Sequence, residues 1–186
     1  MADAYEFWCA KVREDSWNLR CVPEELCDRE LCLIAIQQDG WALKHVPEGL
    51  RDREMCLTAV QEAGLALEYV PVELRDRVLC LAAVQQNGYA LRFVPEKLCD
   101  RDLCMTAVRN RGWALEYVPK KLRDRELCLT AVQKNGLALE FVPDFLKIQE
   151  FCEAAIANNQ DARRFVPETY ADEIKETEEE SLAPGM

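Results

Sequence analysis

Cysteine is the residue type in this chain whose number and spacing could most readily carry chemistry. Six of the ten cysteines recur every 24 residues. If they occupy equivalent places in a repeat, their sulfur atoms lie about 10 Å apart, too far for a disulfide or for one shared zinc ion. We therefore interpret them as small, buried apolar side chains. The series is Cys32, Cys56, Cys80, Cys104, Cys128 and Cys152.

Two further cysteines precede members of that series by five positions, as Cys27 precedes Cys32 and Cys99 precedes Cys104. The spacing is a weak metal-binding signal, because the first cysteine lies in a link and the second in a predicted helix. A metal site that adds Cys9 and Cys21 to the first pair is the alternative interpretation. The N-terminus has no basic region followed by an apolar segment, so we expect a reducing cytoplasm rather than export.

No arrangement of residues in the sequence predicts catalysis. His45 is the only histidine, and its row is otherwise aromatic. A Ser/His/Asp or Cys/His catalytic arrangement would have to use this single histidine, which argues against either arrangement. The acids recur in register, which is typical of helix caps, and single glycines 24 residues apart form no phosphate loop. We predict no catalytic, cofactor-binding or metal-binding residue, and we expect that the protein is not an enzyme.

The elements that would position these side chains follow from a repeat with a period of 24 residues. An aspartate precedes five of the predicted helices as an N-cap, at Asp28, Asp52, Asp76, Asp100 and Asp124. A glycine follows about a dozen residues later, where we expect a left-handed residue to end the helix. A second short segment is stopped by proline, which is also placed to start a further turn. The prolines are Pro23, Pro47, Pro71, Pro95, Pro119, Pro143 and Pro167.

This pattern predicts an all-α fold, an α-solenoid of seven 24-residue two-helix repeats with polar terminal caps. A row of alanines should let neighbouring helices approach closely. The alternative is a leucine-rich repeat, whose period also covers 24, but its Leu-x-x-Leu-x-Leu-x-x-Asn pattern is missing. We expect one solenoid domain over residues 1–170 and an acidic, unstructured tail over residues 171–186.

Charge narrows the classes of partner. The net charge of −11 disfavours nucleic acid and anionic membrane surfaces. No apolar run approaches the roughly 20 residues that a membrane helix needs. An acidic surface attracts basic molecules electrostatically, so we expect a protein partner, and in particular a basic one.

The positions that vary between repeats are the candidates for binding. Large residues recur at the start of the second segment, and charged or amide residues recur at the end of the long helix. Trp, Tyr and Arg on one continuous solenoid surface are typical binding anchors. The alternative is that the rings only fill the groove beside the glycine. The residues that we predict to bind a partner are Trp41, Tyr89, Trp113, Arg109 and Arg111.

Three stretches carry a resemblance to a known family: Ala138-Leu-Glu-Phe-Val-Pro143, Leu122-Arg-Asp-Arg-Glu126 and Leu129-Thr-Ala-Val-Gln-Lys-Asn-Gly136. They resemble the repeats known as domain of unknown function 4116. The resemblance covers residues 17–167 and departs from the family in having Pro where Ser is usual and Cys where Val is usual. It implies bacterial-type helical repeats and supplies no activity.

The sequence therefore leads us to expect a non-enzymatic protein-binding module, an adaptor or regulator. Two alternatives stay open. One is an immunity-type or inhibitor protein that blocks one target, and the other is a structural module that self-associates. The oligomeric state does not follow from the sequence.

Overall fold

The computed structural model describes residues 2–171, and this part of the chain contains helices and no strand. The prediction of an all-α solenoid is therefore confirmed, and the leucine-rich alternative is wrong. Of the predicted acidic tail, all but Ala171 lies outside the described residues. No helix in residues 2–171 is both long enough and apolar enough to cross a membrane.

Each repeat consists of an α-helix and a six-residue 3-10 helix, and in the first six repeats the proline is followed by a three-residue 3-10 helix. The second predicted segment is thus a 3-10 helix, and the predicted turn after the proline is a separate element. The α-helices are α1 (Ala2–Glu14), α2 (Arg29–Gln38), α3 (Arg53–Glu62), α4 (Arg77–Gln86), α5 (Arg101–Asn110), α6 (Arg125–Lys134) and α7 (Gln149–Asn158). The six-residue 3-10 helices are Ser16–Cys21, Gly40–His45, Gly64–Tyr69, Gly88–Phe93, Gly112–Tyr117, Gly136–Phe141 and Gln160–Phe165. The three-residue ones are Glu24–Leu26, Glu48–Leu50, Val72–Leu74, Glu96–Leu98, Lys120–Leu122 and Asp144–Leu146.

Helices α2 to α6 each begin directly after the aspartate that the sequence predicted as the N-cap. The Asp76 carboxylate accepts a hydrogen bond from the Leu79 amide at 2.8 Å, which satisfies one orphan donor of the first turn. This bond and the Arg53 guanidinium hold the pKa of Asp76 below its ordinary value. The same cap bond occurs at the other N-cap aspartates, Asp28, Asp52, Asp100 and Asp124.

The predicted left-handed glycines are wrong. Glycine occupies the first position of five of the six-residue 3-10 helices, and no residue in the described part of the chain has a positive φ. The structural reason for glycine is a close approach to the next repeat. A Cβ atom on Gly64 would lie 2.4 Å from the Ala83 carbonyl oxygen, and one on Gly40 would lie 2.2 Å from the Ala59 oxygen. The glycine and alanine rows thus act together to bring successive repeats into contact.

The chain divides into two compact units, Met1–Cys99 and Asp100 onward. In the first unit, α2 packs on α3 and α3 packs on α4. The six-residue 3-10 helices Ser16–Cys21, Gly40–His45 and Gly64–Tyr69 each pack on the α-helices of their own and the next repeat. In the second unit, α5, α6 and α7 pack in the same order. The core of each unit repeats the same positions, which in one repeat are Leu31, Cys32, Ala35, Ile36 and Leu43.

The last repeat replaces core residues with polar ones, as predicted for a terminal cap. Glu153 is exposed where the other repeats have a half-buried or buried apolar residue, and Gln160 is exposed where they have the buried glycine. Arg163 is half-buried in the row that otherwise holds fully buried leucines.

Candidate functional site

The aromatic residues predicted to bind a partner are half-buried in the structure. In the first unit, the ring of Trp41 packs edge-on against Tyr69 of the next repeat, with 6.2 Å between ring centroids. The Lys44 ammonium lies 5.9 Å from the centre of the same Tyr69 ring. Tyr89 is the second residue of the equivalent 3-10 helix two repeats later, and its amide donates to Asn87 at 3.1 Å.

In the second unit, Trp113 repeats this arrangement. Its ring packs edge-on against Phe141 with 5.0 Å between centroids, and its indole N–H donates to Glu116 at 3.1 Å. Each of these rings therefore fills space beside the next repeat and keeps part of its surface accessible. Arg109 and Arg111 are exposed near Trp113 in sequence, at the end of α5 and just after it. Neither guanidinium has a partner among residues 2–171.

The structure contains grooves that sequence reasoning missed. In the first unit, a groove of about 560 Å³ lies between the three-residue 3-10 helices of successive repeats. We call it the Tyr69 groove. It is lined by Lys44, Glu48, Arg51, Glu68, Tyr69, Val70, Pro71, Val72 and Glu73. The two positions after each proline contribute to it, and their variation between repeats is the sequence signal that could have revealed it.

The equivalent grooves of the second unit have a different charge. One of about 470 Å³ lies beside Phe141 and includes Lys120 and Lys147, together with Glu140. The ammonium of Lys147 pairs with Asp144 at 3.0 Å. The next groove, of about 610 Å³, shares Phe145, whose side chain is 78% exposed. The groove beside Phe141 therefore has at least as many basic as acidic side chains, whereas acidic side chains are in the majority in the Tyr69 groove.

The first arginine of an Arg-Asp-Arg link lines a groove at two places, Arg51 and Arg123. Arg51 donates to three main-chain carbonyls, those of Val46 at 2.9 Å, Tyr69 at 2.8 Å and Lys44 at 3.5 Å. Arg75 and Arg123 make the equivalent bonds in their own repeats. Burial lowers the pKa of both of these guanidinium groups. Because these N–H groups bind the main chain, they are structural donors rather than free anion ligands.

The arginine that follows an N-cap position forms exposed ion pairs with the next repeat at four places. Arg29 pairs with Asp52 and Glu54, both at 2.6 Å. Arg53 pairs with Asp76 at 2.8 Å. In the second unit, the same pattern joins Arg101 to Asp124 and Glu126, and Arg125 to Glu150. Each pair contributes about 0–1 kcal/mol because both partners stay hydrated.

The periodic cysteines are completely buried, which confirms their interpretation as apolar core residues. Burial raises the pKa of Cys56 and Cys80 to about 11 and that of Cys128 to about 12. A thiol at such a pKa is inert near neutral pH. All ten cysteines are present as free thiols. Within residues 2–171, no three His, Cys, Asp or Glu side chains converge in a way that could hold a metal ion.

Cys27 and Cys32 make a direct thiol–thiol contact. The Sγ atoms of Cys27 and Cys32 lie 3.5 Å apart. The hydrogen bond from Cys32 lowers the pKa of Cys27 despite partial burial and the nearby Asp28 and Glu24 carboxylates. The same contact, together with burial, raises the pKa of Cys32. The spacing of this pair was a weak metal-binding signal, because the first cysteine lies in a link and the second in a helix, and it did not predict that the two thiols meet.

The fold and its surfaces define an α-solenoid repeat protein. Within that class, the chain belongs to the family described as domain of unknown function DUF4116, whose model matches residues 6–51, 52–99, 100–147 and 124–171. Each match covers about two of the 24-residue repeats. The family resemblance expected from the sequence is thereby confirmed. No curated protein and no solved structure matches the chain significantly.

Proposed function

We propose that this protein is a non-enzymatic protein-binding repeat module, an adaptor or regulator of the cytoplasm. Its partner presents a segment that combines basic and apolar side chains. In the first unit, this segment lies in the Tyr69 groove. The observation that carries the proposal is a groove that combines apolar side chains with three carboxylates, in a chain of net charge −11.

Three residues of the Tyr69 groove offer apolar surface to a partner. Tyr69 and Pro71 are half-buried in its wall, and the side chain of Val72 is 63% exposed. An exposed valine beside an aromatic ring and a proline forms a surface that gains from being covered by another apolar side chain. Repeat packing alone does not need Val72, because the same position is occupied by glutamate in other repeats.

The rim supplies charge. Glu48, Glu68 and Glu73 are exposed around the groove, whereas Lys44 is its one exposed cation. Arg51 lies at the floor with its donors on carbonyl oxygens. The rim therefore attracts Lys or Arg of a partner, and attraction between exposed charges speeds association more than it adds affinity.

The residues first identified from the sequence extend this surface. Trp41 contacts Tyr69, so its accessible part continues the groove towards the start of the 3-10 helix. Tyr89 occupies the equivalent position two repeats later. In the second unit, Trp113 with Arg109 and Arg111 gives an aromatic and basic patch, which we propose as a separate contact region for an acidic part of the partner.

A charge-reversal experiment tests the proposal. The variant Glu48→Lys/Glu68→Lys/Glu73→Lys changes the rim of the groove. The variant Glu6→Lys/Glu30→Lys/Glu62→Lys makes the same change in net charge at exposed positions outside it. Both are immobilised beside the unchanged chain for affinity capture from the native lysate at low salt and at 0.5 M salt.

We expect the unchanged chain and the control variant to retain a common partner that the groove variant loses. The retained amount should fall at high salt, because salt screens exposed charges. Equal retention by the two variants would show that binding does not use this groove. Binding that high salt strengthens would contradict a basic partner.

A further inference from the structure

We propose that Cys27 and Cys32 form a reversible thiol-oxidation site, in which peroxide oxidises Cys27 and Cys32 then closes a disulfide with it. The proposal rests first on distance. The two Sγ atoms are 3.5 Å apart, and a disulfide needs them at about 2.05 Å. The two sulfurs therefore need to approach each other by only about 1.5 Å more to form the bond.

Accessibility assigns different roles to the two thiols. Cys27 is half-buried in the link between the 3-10 helix Glu24–Leu26 and α2, so a small oxidant reaches its sulfur. Cys32 lies in α2 with 0% of its surface exposed. An accessible thiol of lowered pKa beside a second thiol is the arrangement found in peroxide-sensitive proteins. Cys27 is thus the attacking residue and Cys32 the resolving residue.

The repeat itself explains why the site occurs at this position. Cys56 faces Arg51, the residue five positions before it, and the Arg51 charge acts on the Cys56 thiol. Cys80 faces Arg75 and Cys128 faces Arg123 in the same way. In the repeat that contains Cys32 the arginine position is occupied by Cys27, and Cys99 occupies it before Cys104. The thiol of Cys32 therefore meets a second thiol where Cys56 meets a guanidinium.

The chemistry balances with hydrogen peroxide as the oxidant. The Cys27 thiolate attacks one peroxide oxygen, the O–O bond breaks, and hydroxide leaves, which gives a sulfenic acid on Cys27. Cys32 then loses its proton, and its sulfur attacks the Cys27 sulfur. The S–S bond forms and the sulfenic oxygen leaves as water. Overall, two thiols lose two electrons and two protons, and one peroxide becomes two waters.

Peptide mapping of the oxidised chain tests this proposal. The chain carries Cys21→Ser, is reduced and desalted, and is then treated with hydrogen peroxide and alkylated in denaturant. Trypsin cuts after Arg20, Arg29 and Lys44, so Cys27 and Cys32 fall on the separate peptides 21–29 and 30–44. The Cys21 substitution is needed because that cysteine shares the first of these peptides.

We expect a linked 21–29/30–44 species whose mass is about 2 Da below the sum of the two reduced peptides. A dithiol reductant should restore both thiols. Cys56 should be recovered in the alkylated form, because it has an arginine in place of the partner thiol. The variant Cys27→Ser should abolish the link and leave Cys32 as a free thiol.

Three results would overturn the proposal. The first is oxidation of Cys27 to a sulfinic acid while Cys32 stays free. The second is a link from Cys27 to any other cysteine. The third is recovery of both thiols in the alkylated form, with Cys56 oxidised first. Circular dichroism of each variant before treatment establishes that the folded chain is being oxidised.

Discussion

The Nη1 atom of Arg51 lies 2.8 Å from the main-chain carbonyl oxygen of Tyr69, which belongs to the next repeat along the chain. Two further donors of the same guanidinium bind carbonyls of its own repeat, at Val46 and Lys44. One side chain thus ties the ends of two 3-10 helices together. Carbonyls at helix ends have no partner within the helix, so the arginine satisfies acceptors that the short helices leave open.

Removal of this arginine should destabilise the protein strongly. We expect Arg51→Met to lower the free energy of unfolding by about 2–4 kcal/mol, since bonds from a charged donor contribute about 1.5–3 kcal/mol each and do not add fully. Arg53→Met is the matched control, because Arg53 makes only an exposed ion pair with Asp76. That variant should lose about 0–1 kcal/mol. Urea unfolding measures both, and equal losses would contradict the role of Arg51.

Substitution by alanine should change the stability of the protein in opposite directions at Gly64 and Gly49. Gly64→Ala places a Cβ atom 2.4 Å from the Ala83 oxygen, and we expect a loss of about 2 kcal/mol or more from this overlap. A Cβ atom on Gly49 has no other atom within 4 Å. Gly49→Ala should therefore stabilise the protein by about 0.4–1 kcal/mol, through the lower entropy of the unfolded chain.

A second substitution at Gly64 distinguishes the two explanations for glycine at this position, a left-handed backbone and a close contact with the next repeat. A left-handed residue tolerates asparagine, whereas a close contact does not. We expect Gly64→Asn to lower the melting temperature at least as much as Gly64→Ala. Recovery of stability in the asparagine variant would support the left-handed conformation that the sequence first indicated.

The repeat, the first residues of the helices and the rows of core residues could all be predicted from the sequence. Asp76 and the buried Ala83 could be placed because caps and small core residues leave a fixed spacing in the chain. The sequence was not sufficient for the reason behind Gly64, because the clash with Ala83 involves a backbone atom 19 residues away. The 3.5 Å contact between Cys27 and Cys32 was missed for a related reason, since it depends on side-chain rotamers. The grooves depend on how the Pro-linked turns of successive repeats are spaced.

His45 should make the stability of the protein depend on pH. Its Nε2 atom is buried with no hydrogen-bond partner among the described residues. Burial, followed by the charges of Lys44 and Arg20, lowers its pKa from the ordinary 6.5. The folded chain therefore binds the proton less tightly than the unfolded chain does. Stability is complete above pH 6.5 and falls as the pH decreases from that value to the lower folded pKa.

Replacement of this histidine by the residue type common in its row isolates the effect. We expect His45→Phe to raise the free energy of unfolding by about 1 kcal/mol at pH 7, because it removes an unpaired buried nitrogen. The difference between the variant and the unchanged chain should widen as the pH falls from 7 to 5. Thermal unfolding across this range is the measurement, and a constant difference would show that His45 does not titrate in folding.

The row of exposed ion pairs in the first unit has a gap that can be filled. Arg29 pairs with Asp52 and Glu54 of the next repeat, whereas Arg53 pairs with Asp76, because Val78 stands at the position equivalent to Glu54. Its side chain is 60% exposed. Val78→Glu should supply the second carboxylate and add about 0.3–0.5 kcal/mol at low salt. Val78→Gln, which has nearly the same shape and no charge, should not. Since salt screens an exposed pair, the difference between the two variants should vanish in 1 M salt, and a difference that persists would show that charge is not its cause.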